Sequence, residues 1–371
     1  MKFLHIADLH FGRLLYGRSL IDDQRHFVQN ILLPAVDTHN PDAVLIAGDV
    51  YDRQIASTDA IALFDALIEE LSTRSVPAVI ISGNHDGPER MAIGTKLLSK
   101  LGIHIVTTLA ASFEPIEIGD AQIFALPYFD NAEVRSYFKD DTLRGSGACM
   151  RAVIDRMQEK FDPDKKHILI SHCFAAGSET SDSEVQMFVG GTGDVPTDCF
   201  SAFDYTALGH LHAAQRAGDS ARYAGSPLKY SVDESHHKKS MTLVTVEDGF
   251  SFELLPVVPL RDVRRINGSF EDVLRDGMNT PTEDYVEIEL TDEVPVFRPA
   301  DRLRPYYPNI LSVRNLWFAQ QNSSEPVQTM REQDNTTVFT GFMRDICGAE
   351  ILPEDLELFN EIMHEMEGAV E

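Results

Sequence analysis

Seven residues, Val76-Pro77-Ala78-Val79-Ile80-Ile81-Ser82, form an almost unbroken apolar run that stops at Gly83-Asn84-His85-Asp86. A run this short, rich in Val and Ile and with no polar face to turn to water, reads as a strand covered on both sides in a parallel sheet. Gly83 ends it and leaves Asn84, His85 and Asp86 on the loop past the carboxyl end, the edge at which open α/β sheets hold their ligands. An amide, an imidazole and a carboxylate in a row can ligate a metal or move a proton. Alone, the stretch is also an ordinary polar turn.

The same arrangement recurs along the chain. Lys2 to Ala7 reads as a strand that delivers Asp8 and His10, whose spacing of two puts both side chains on one side of an extended segment. Ala43 to Ala47 delivers Gly48-Asp49-Val50-Tyr51-Asp52-Arg53, His167 to Ser171 delivers His172, and Tyr205 to Leu208 delivers Gly209-His210-Leu211-His212. Helical patterns lie between, at Arg25–Val36, where Pro34 should end the helix early, and at Thr58–Leu71, with Ile61, Phe64, Leu67, Ile68 and Leu71 on one stripe. Strand and helix alternating over short loops predict right-handed βαβ units and a parallel sheet. The shorter strands Ile103–Val106, Phe113–Ile118 and Gln122–Ala125 predict a second, less parallel sheet. Strands at Arg222–Pro227 and Ser240–Val246 close this domain near Pro256.

Five strand ends thus carry Asp8/His10, Asp49/Asp52, Asn84/His85, His172 and His210/His212. Each has a plain structural explanation when taken singly: a turn residue, a helix cap, a histidine satisfied near the core. Turn chemistry would supply Ser, Gly and Pro as readily as Asp, His and Asn, so the set as a whole points to chemistry. Two divalent cations need a carboxylate that can bridge them, and Asp49, central and in the tightest loop, is the expected bridge. Imidazole and carboxylate without thiolate suit Mn²⁺, Fe²⁺ or Zn²⁺ better than an all-oxygen magnesium site. The formal charge of -27, from 59 acidic against 32 basic residues, excludes a broad basic face for nucleic acid, so any such contact must be local or supplied by a partner. Four scattered cysteines with no CxxC pair argue against a structural zinc site or disulfide framework and fit a reducing compartment. No signal-like start and no apolar stretch long enough for a bilayer predict a cytoplasmic protein without a membrane partner.

DxH, GDxxDR, GNHD, a later lone His and GHxH, in this order, resemble the calcineurin-like metallophosphoesterase signature. Gly225-Ser226-Pro227-Leu228-Lys229-Tyr230-Ser231, then Asp233-Glu234, Lys238-Lys239-Ser240, Pro259-Leu260-Arg261-Asp262-Val263-Arg264 and a closing Ile351-Leu352-Pro353-Glu354, resemble the SbcD-type break-repair nuclease branch of that superfamily. The resemblance spans nearly the whole chain. It implies an α/β fold, a two-sheet sandwich flanked by helices, with a small α/β capping domain and a C-terminal helical tail. It assigns Asp8, His10, Asp49 and His212 to one divalent metal ion and Asp49, Asn84, His172 and His210 to the other, with Mn²⁺ expected and Mg²⁺ as the alternative. His85 matches the family histidine that leaves the metals alone and helps the leaving group, with Asp52 placed to orient it. The chain departs from the pattern at Ala213-Ala214, where relatives carry a basic residue and a proline, which bears on a local DNA contact.

The expected division is a nuclease domain over 1–258, a capping domain over 259–319, a linker over 320–337 and C-terminal helices over 338–371. Ser269-Phe270-Glu271-Asp272 is a capping-box pattern opening a helix, Tyr285–Leu290 and Ile310–Val313 read as strands, and Pro299–Arg304 as a helix. Gln320 to Thr337 is polar and linker-like, Val338 to Cys347 reads as a helix ended by Gly348, and Pro353 opens another. That last helix bears Leu356, Phe359, Ile362, Met363 and Met366 at helical spacing, a face that docks on its own domain or on a partner. The resemblance implies the partner: the coiled-coil base of an SbcC-type ABC ATPase, with DNA as substrate and a homodimer of the nuclease subunit. The function it implies is a metal-dependent 3′–5′ duplex exonuclease and single-strand or hairpin endonuclease. A phosphoesterase of the same fold for small phosphodiesters or phosphoproteins, and a non-enzymatic tether to DNA ends, are the alternatives.

Overall fold

The computed structural model describes residues 1–181, 184, 194–316, 336, 339–340 and 352–368. The chain lays down β1 (Lys2–Ile6), the β2–β3 hairpin (Leu14–Leu15 and Arg18–Ser19), β4 (Ala43–Ala47), β5 (Ala78–Ile81), β6 (Ile103–Val106), β7 (Ile116–Ile118) and β8 (Ala121–Leu126). It then adds β9 (Lys166–His172), β10 (Tyr205–Gly209), β11 (Gln215–Ala217), β12 (Ala221–Tyr223), β13 (Ser240–Glu247) and β14 (Gly249–Pro256). Last come β15 (Val263–Gly268), β16 (Tyr285–Leu290) and β17 (Ile310–Asn315). Two six-stranded sheets result, in the orders β14-β13-β1-β4-β5-β6 and β11-β12-β10-β9-β8-β7, with a separate parallel sheet β15-β16-β17.

The apolar runs are continuous because the two large sheets face each other and each is covered by helices outside. Along β5, Val79 and Ile81 point into the space between the sheets, against Ile123, Ile168 and Tyr205, while Ala78 and Ile80 point out to the helices. On the far side of the second sheet, Phe124, Leu169 and Leu208 pack under the helix Gly145–Gln158. Cutting one of these side chains back, as in Ile80→Ala, costs on the order of 2–5 kcal/mol.

The second sheet is as parallel as the first, contrary to expectation: β8–β9, β9–β10 and β10–β12 run parallel, and β6 pairs with β5 in the first sheet. Short strands do not imply antiparallel pairing when helices supply the crossovers. The first crossover also runs past Pro34. Helix Ile21–Phe27 passes through a π turn, Val28–Leu32, into Leu33–His39, and Leu33 N donates back five residues to Val28 O, so the widened turn just before Pro34 takes up the break that the proline imposes on the helical ladder. Helix Thr58–Thr73 begins on Ser57, whose side chain accepts from the Ala60 amide.

The parallel strands of both sheets end at one edge, and main-chain bonds sew their loops together. Asp8 N donates to Gly48 O at 3.1 Å, and His10 N to Asp49 O at 2.9 Å. The third sheet, with helices Phe270–Asn279 and Pro299–Leu303 between its strands, has its own core of Phe270, Val286, Ile288 and Leu303. Ser269 caps the first of these helices, as its capping-box pattern predicts. The expected linker over 320–337 and the expected helix over Val338–Cys347, ended by Gly348, lie largely outside the described residues. Helix Pro353–Gly368 is present, and Phe359 stacks on Phe339 with ring centroids 4.0 Å apart. Leu352, Leu358 and Ile362 stay exposed. No helix among the described residues is long and apolar enough to cross a membrane.

Candidate metal centre

The loops at that edge are held in unusual backbone shapes. Asp8, His10, Asp49 and His210 all adopt positive φ (53°, 44°, 49° and 106°), a cost of order 1–3 kcal/mol each that persists only where the surroundings enforce it. Two glycines make the closeness achievable. A Cβ on Gly83 would overlap the Asp49 carboxylate, and one on Gly209 would overlap the Ala47 carbonyl. Gly83 and Gly209 therefore precede GNHD's polar residues and the HLH stretch because no side chain fits between the converging loops.

The side chains fall into two groups that share Asp49. In the first, His10 Nε2 and His212 Nε2 face each other at 3.2 Å, and Asp8 joins them in one cluster of donor atoms. In the second, Asn84 Oδ1 lies 2.9 Å from His172 Nε2 and 3.2 Å from His210 Nδ1. Asp49 Oδ2 stands 3.6 Å from His10 Nε2 and 3.4 Å from His172 Nε2, so one carboxylate oxygen looks toward both groups. Tautomers are set from behind. His172 Nδ1 donates to Ala47 O at 2.9 Å, and His212 Nδ1 pairs with Glu234 at 2.9 Å, which leaves each Nε2 directed inward.

Burial and mutual charge distort the proton equilibria of several of these donors. Burial raises the Asp8 carboxyl to about 7. For Asp49 burial also pushes upward, but the imidazoles of His172, His10 and His85 outweigh it and hold the carboxyl well below the usual range. Burial lowers His10, and lowers His210 to about 3. His172 rises to about 9, because the Asp49 carboxylate overcomes its desolvation. These are crowded donors of opposite charge, with His10 Nδ1 buried and lacking a hydrogen-bond partner among the described residues. Such a donor set fits divalent cations.

The remaining expected residues sort themselves by partner. His85 donates its amide to Asp49 Oδ1 at 2.9 Å and its ring Nδ1 to the Asp52 main-chain carbonyl at 2.9 Å. The Asp52 carboxylate instead takes Arg13 at 2.8 Å, so orientation of His85 comes from the backbone of Asp52 and not its side chain. Asp86 is a clamp: its carboxylate accepts from the amides of Gly83, Val50 and Tyr51 and ties the GNHD loop to the Asp49 loop. Three supporting residues carry no signal of this role in the sequence. Buried Glu234 supports His212, and Lys239 Nζ, 2.6 Å from Glu234, also donates to His212 O and Ser226 Oγ. Gln24 donates to His10 O at 2.7 Å and accepts from Gly12 N at 2.9 Å.

The model of the calcineurin-like phosphoesterases matches residues 1–214, and the chain belongs to that family. Residues 259–346 match a second model, described as the type 5 capsule protein repressor C-terminal domain. Among curated proteins, the chain is 32% identical over 351 residues to the SbcD subunit of the nuclease SbcCD from Staphylococcus epidermidis, an alignment that covers 93% of each chain. A Thermus thermophilus protein of known crystal structure aligns over 69% of this chain and 99% of its own, at 11% identity and a TM-score of 0.42.

Proposed function

We propose that the chain is the nuclease subunit of an SbcCD-type complex, hydrolysing DNA phosphodiesters with two divalent metal ions, Mn²⁺ before Mg²⁺. One observation carries the reading: two groups of inward-facing nitrogen and oxygen donors share the single carboxylate of Asp49. Asp8, His10, Asp49 and His212 would hold one ion, and Asp49, Asn84, His172 and His210 the other. Ions bound there supply Lewis acidity toward a phosphate diester and a lowered pKa for water.

The chain's own residues do the rest. Gly83 and Gly209 let the loops close, Ala47 and Glu234 fix the histidine tautomers, and Asp86 holds the two carboxylate-bearing loops in register. His85, anchored through Nδ1 on the Asp52 carbonyl, presents its other ring nitrogen as the group that assists the departing oxygen. The division into 1–258, 259–319, 320–337 and 338–371 goes with this reading, as do 3′–5′ duplex exonuclease and hairpin endonuclease activities. A homodimer and an SbcC-type ATPase partner also belong to it. Leu358 and Ile362, exposed on the last helix, and Leu352 just before it are the surface for that partner.

The test is turnover of a linear duplex beside a chromogenic phosphodiester, in Mn²⁺ and in Mg²⁺, with and without the ATPase. Metal-dependent cleavage of the duplex, stimulated by the ATPase, is expected. Turnover of the small ester alone would make this a small-substrate phosphoesterase, and turnover of neither would leave a tether.

A further inference from the structure

The module built on β15-β16-β17 sits on the sandwich through a small buried apolar cluster, in which its Val263 and Tyr285 meet Leu20, Leu228 and Tyr230, and through charged contacts around it. Asp23, buried in the helix Ile21–Phe27, receives Arg261 Nε at 3.0 Å, the Arg261 terminal nitrogen at 2.7 Å and the Tyr285 hydroxyl at 2.9 Å. Lys229 reaches Asp262 at 2.9 Å and donates to Val263 O at 3.2 Å. These two residues grip the start of the module from the sandwich side.

Each has a sequence neighbour that grips the metal centre instead. Gln24, next to Asp23, holds the main chain of Leu9, His10 and Gly12. Successive helical side chains point about 100° apart at 3.6 residues per turn, so one turn presents Asp23 to the module and Gln24 to the loop. Tyr230, next to Lys229, donates its hydroxyl to Leu9 O and sets its ring edge-on to His10 and His212, with centroids 5.3 and 5.5 Å away. Beside the apolar cluster a cavity of about 440 Å³ opens along the seam, lined by Asp23, Lys229, Arg261, Asp262 and Tyr285 among others.

We propose that Gln24 and Tyr230 are positioning residues that couple the seating of the module to the Leu9–His10 loop, so that a ligand or partner displacing the module alters how His10 is presented to metal. Coupling of this kind needs a connected set of contacts with a shared pivot, and two adjacent-residue pairs provide it. The inference rests on the proposed metal centre, and the two fail in different ways.

The experiment is a mutant cycle read by Mn²⁺ titration calorimetry, with amide hydrogen exchange at Gly12 followed in the metal-free chain. Arg261→Gln, which touches no metal-centre residue, should lower Mn²⁺ affinity about tenfold, the lower end of the range for supporting contacts, and speed Gly12 exchange. In a Gln24→Met/Tyr230→Phe background the same substitution should change affinity less than about twofold, since the link is already cut. Should Arg261→Gln fail to fold by circular dichroism, Arg261→Lys keeps the charge and loses only the two-pronged grip. A folded Arg261 variant with parental affinity and parental Gly12 exchange overturns the coupling, as does an effect of equal size in both backgrounds. A parent chain that takes up no Mn²⁺ sinks the metal centre, and Gly12 exchange still decides the coupling.

Discussion

The interior of the sandwich and its carboxyl edge both bury histidine, yet they treat it in opposite ways. Inside, His5 on β1 is fully enclosed, with Nδ1 on the Tyr205 hydroxyl at 2.8 Å and Nε2 on Leu208 O at 3.2 Å. Both ring nitrogens are satisfied by neighbours that carry no charge at neutral pH. At the edge, five residues further along, His10 faces His212 nitrogen to nitrogen, and its other nitrogen has no hydrogen-bond partner among the described residues. Equal burial therefore says nothing about role. What separates a structural histidine from a ligand is whether its partners complete it or compete with it.

The sharpest break between the two regions comes from the shared carboxylate. Asp49→Asn removes one charge felt by both donor groups and should abolish measurable Mn²⁺ uptake at two sites, while His172→Ala weakens one. Calorimetric stoichiometry distinguishes them, and equal losses would mean that Asp49 is no bridge. His85→Gln comes next. It should keep Mn²⁺ stoichiometry and duplex affinity while losing about 10²–10⁴ in turnover, the range for a positioned proton donor. Loss of metal in that variant would put His85 among the ligands.

A smaller effect tests the support behind the edge. Glu234→Gln leaves the shape of the His212 contact and removes its charge, and Lys239 then faces no carboxylate at that position. Mn²⁺ affinity should drop about 10–100-fold, the usual cost of losing an outer-shell partner. An unchanged titration would reduce Glu234 to a partner of Lys239 alone.

The strand ends are legible in the sequence because a glycine stop after a doubly buried strand leaves polar residues at a predictable edge. Asp8, His10, Asp49, Asn84, His210 and His212 are all found there, on loops that converge, with His172 at the end of β9 beside them. The supporting residues are not legible. Glu234 lies in a short 3₁₀ turn, Asp233–His236, and Lys239 just past it. Gln24 stands one residue before the helix its sequence pattern marks, in a helix that in fact starts at Ile21. Long-range folding alone brings them to His212 and His10. Asp86 differs for a related reason. A carboxylate beside His85 looks like a ligand in sequence, but three amides at converging loop starts claim it first. The sheet membership of β6 is equally hidden, since pairing depends on where the preceding helices deposit the strand.

The last prediction concerns the interior. Burial pushes His5 down from its ordinary 6.5 to about 3. As pH falls below 6.5 the unfolded chain takes up the proton before the folded chain can, so unfolding is favoured by mass action. The stability held by neutral His5 is complete above pH 6.5 and is lost progressively on the way down toward 3, at up to about 1.4 kcal/mol per pH unit. His5→Gln cannot take up that proton. It should be less stable than the parent at pH 7.5 by about 1–3 kcal/mol, the cost of imperfectly satisfying Tyr205 and Leu208. Between about pH 6.5 and 4.5 that gap should narrow, because only the parent carries the protonation penalty. Denaturant unfolding of both chains across this range reads the difference directly, and the edge histidines common to both cancel in it. Mn²⁺ affinity at pH 7.5 should stay within about twofold of the parent, since His5 bonds only across the sandwich. A gap that holds constant with pH would mean that His5 is not kept neutral inside, and a large loss of Mn²⁺ affinity would mean that interior and edge are not the separate settings their hydrogen bonds describe.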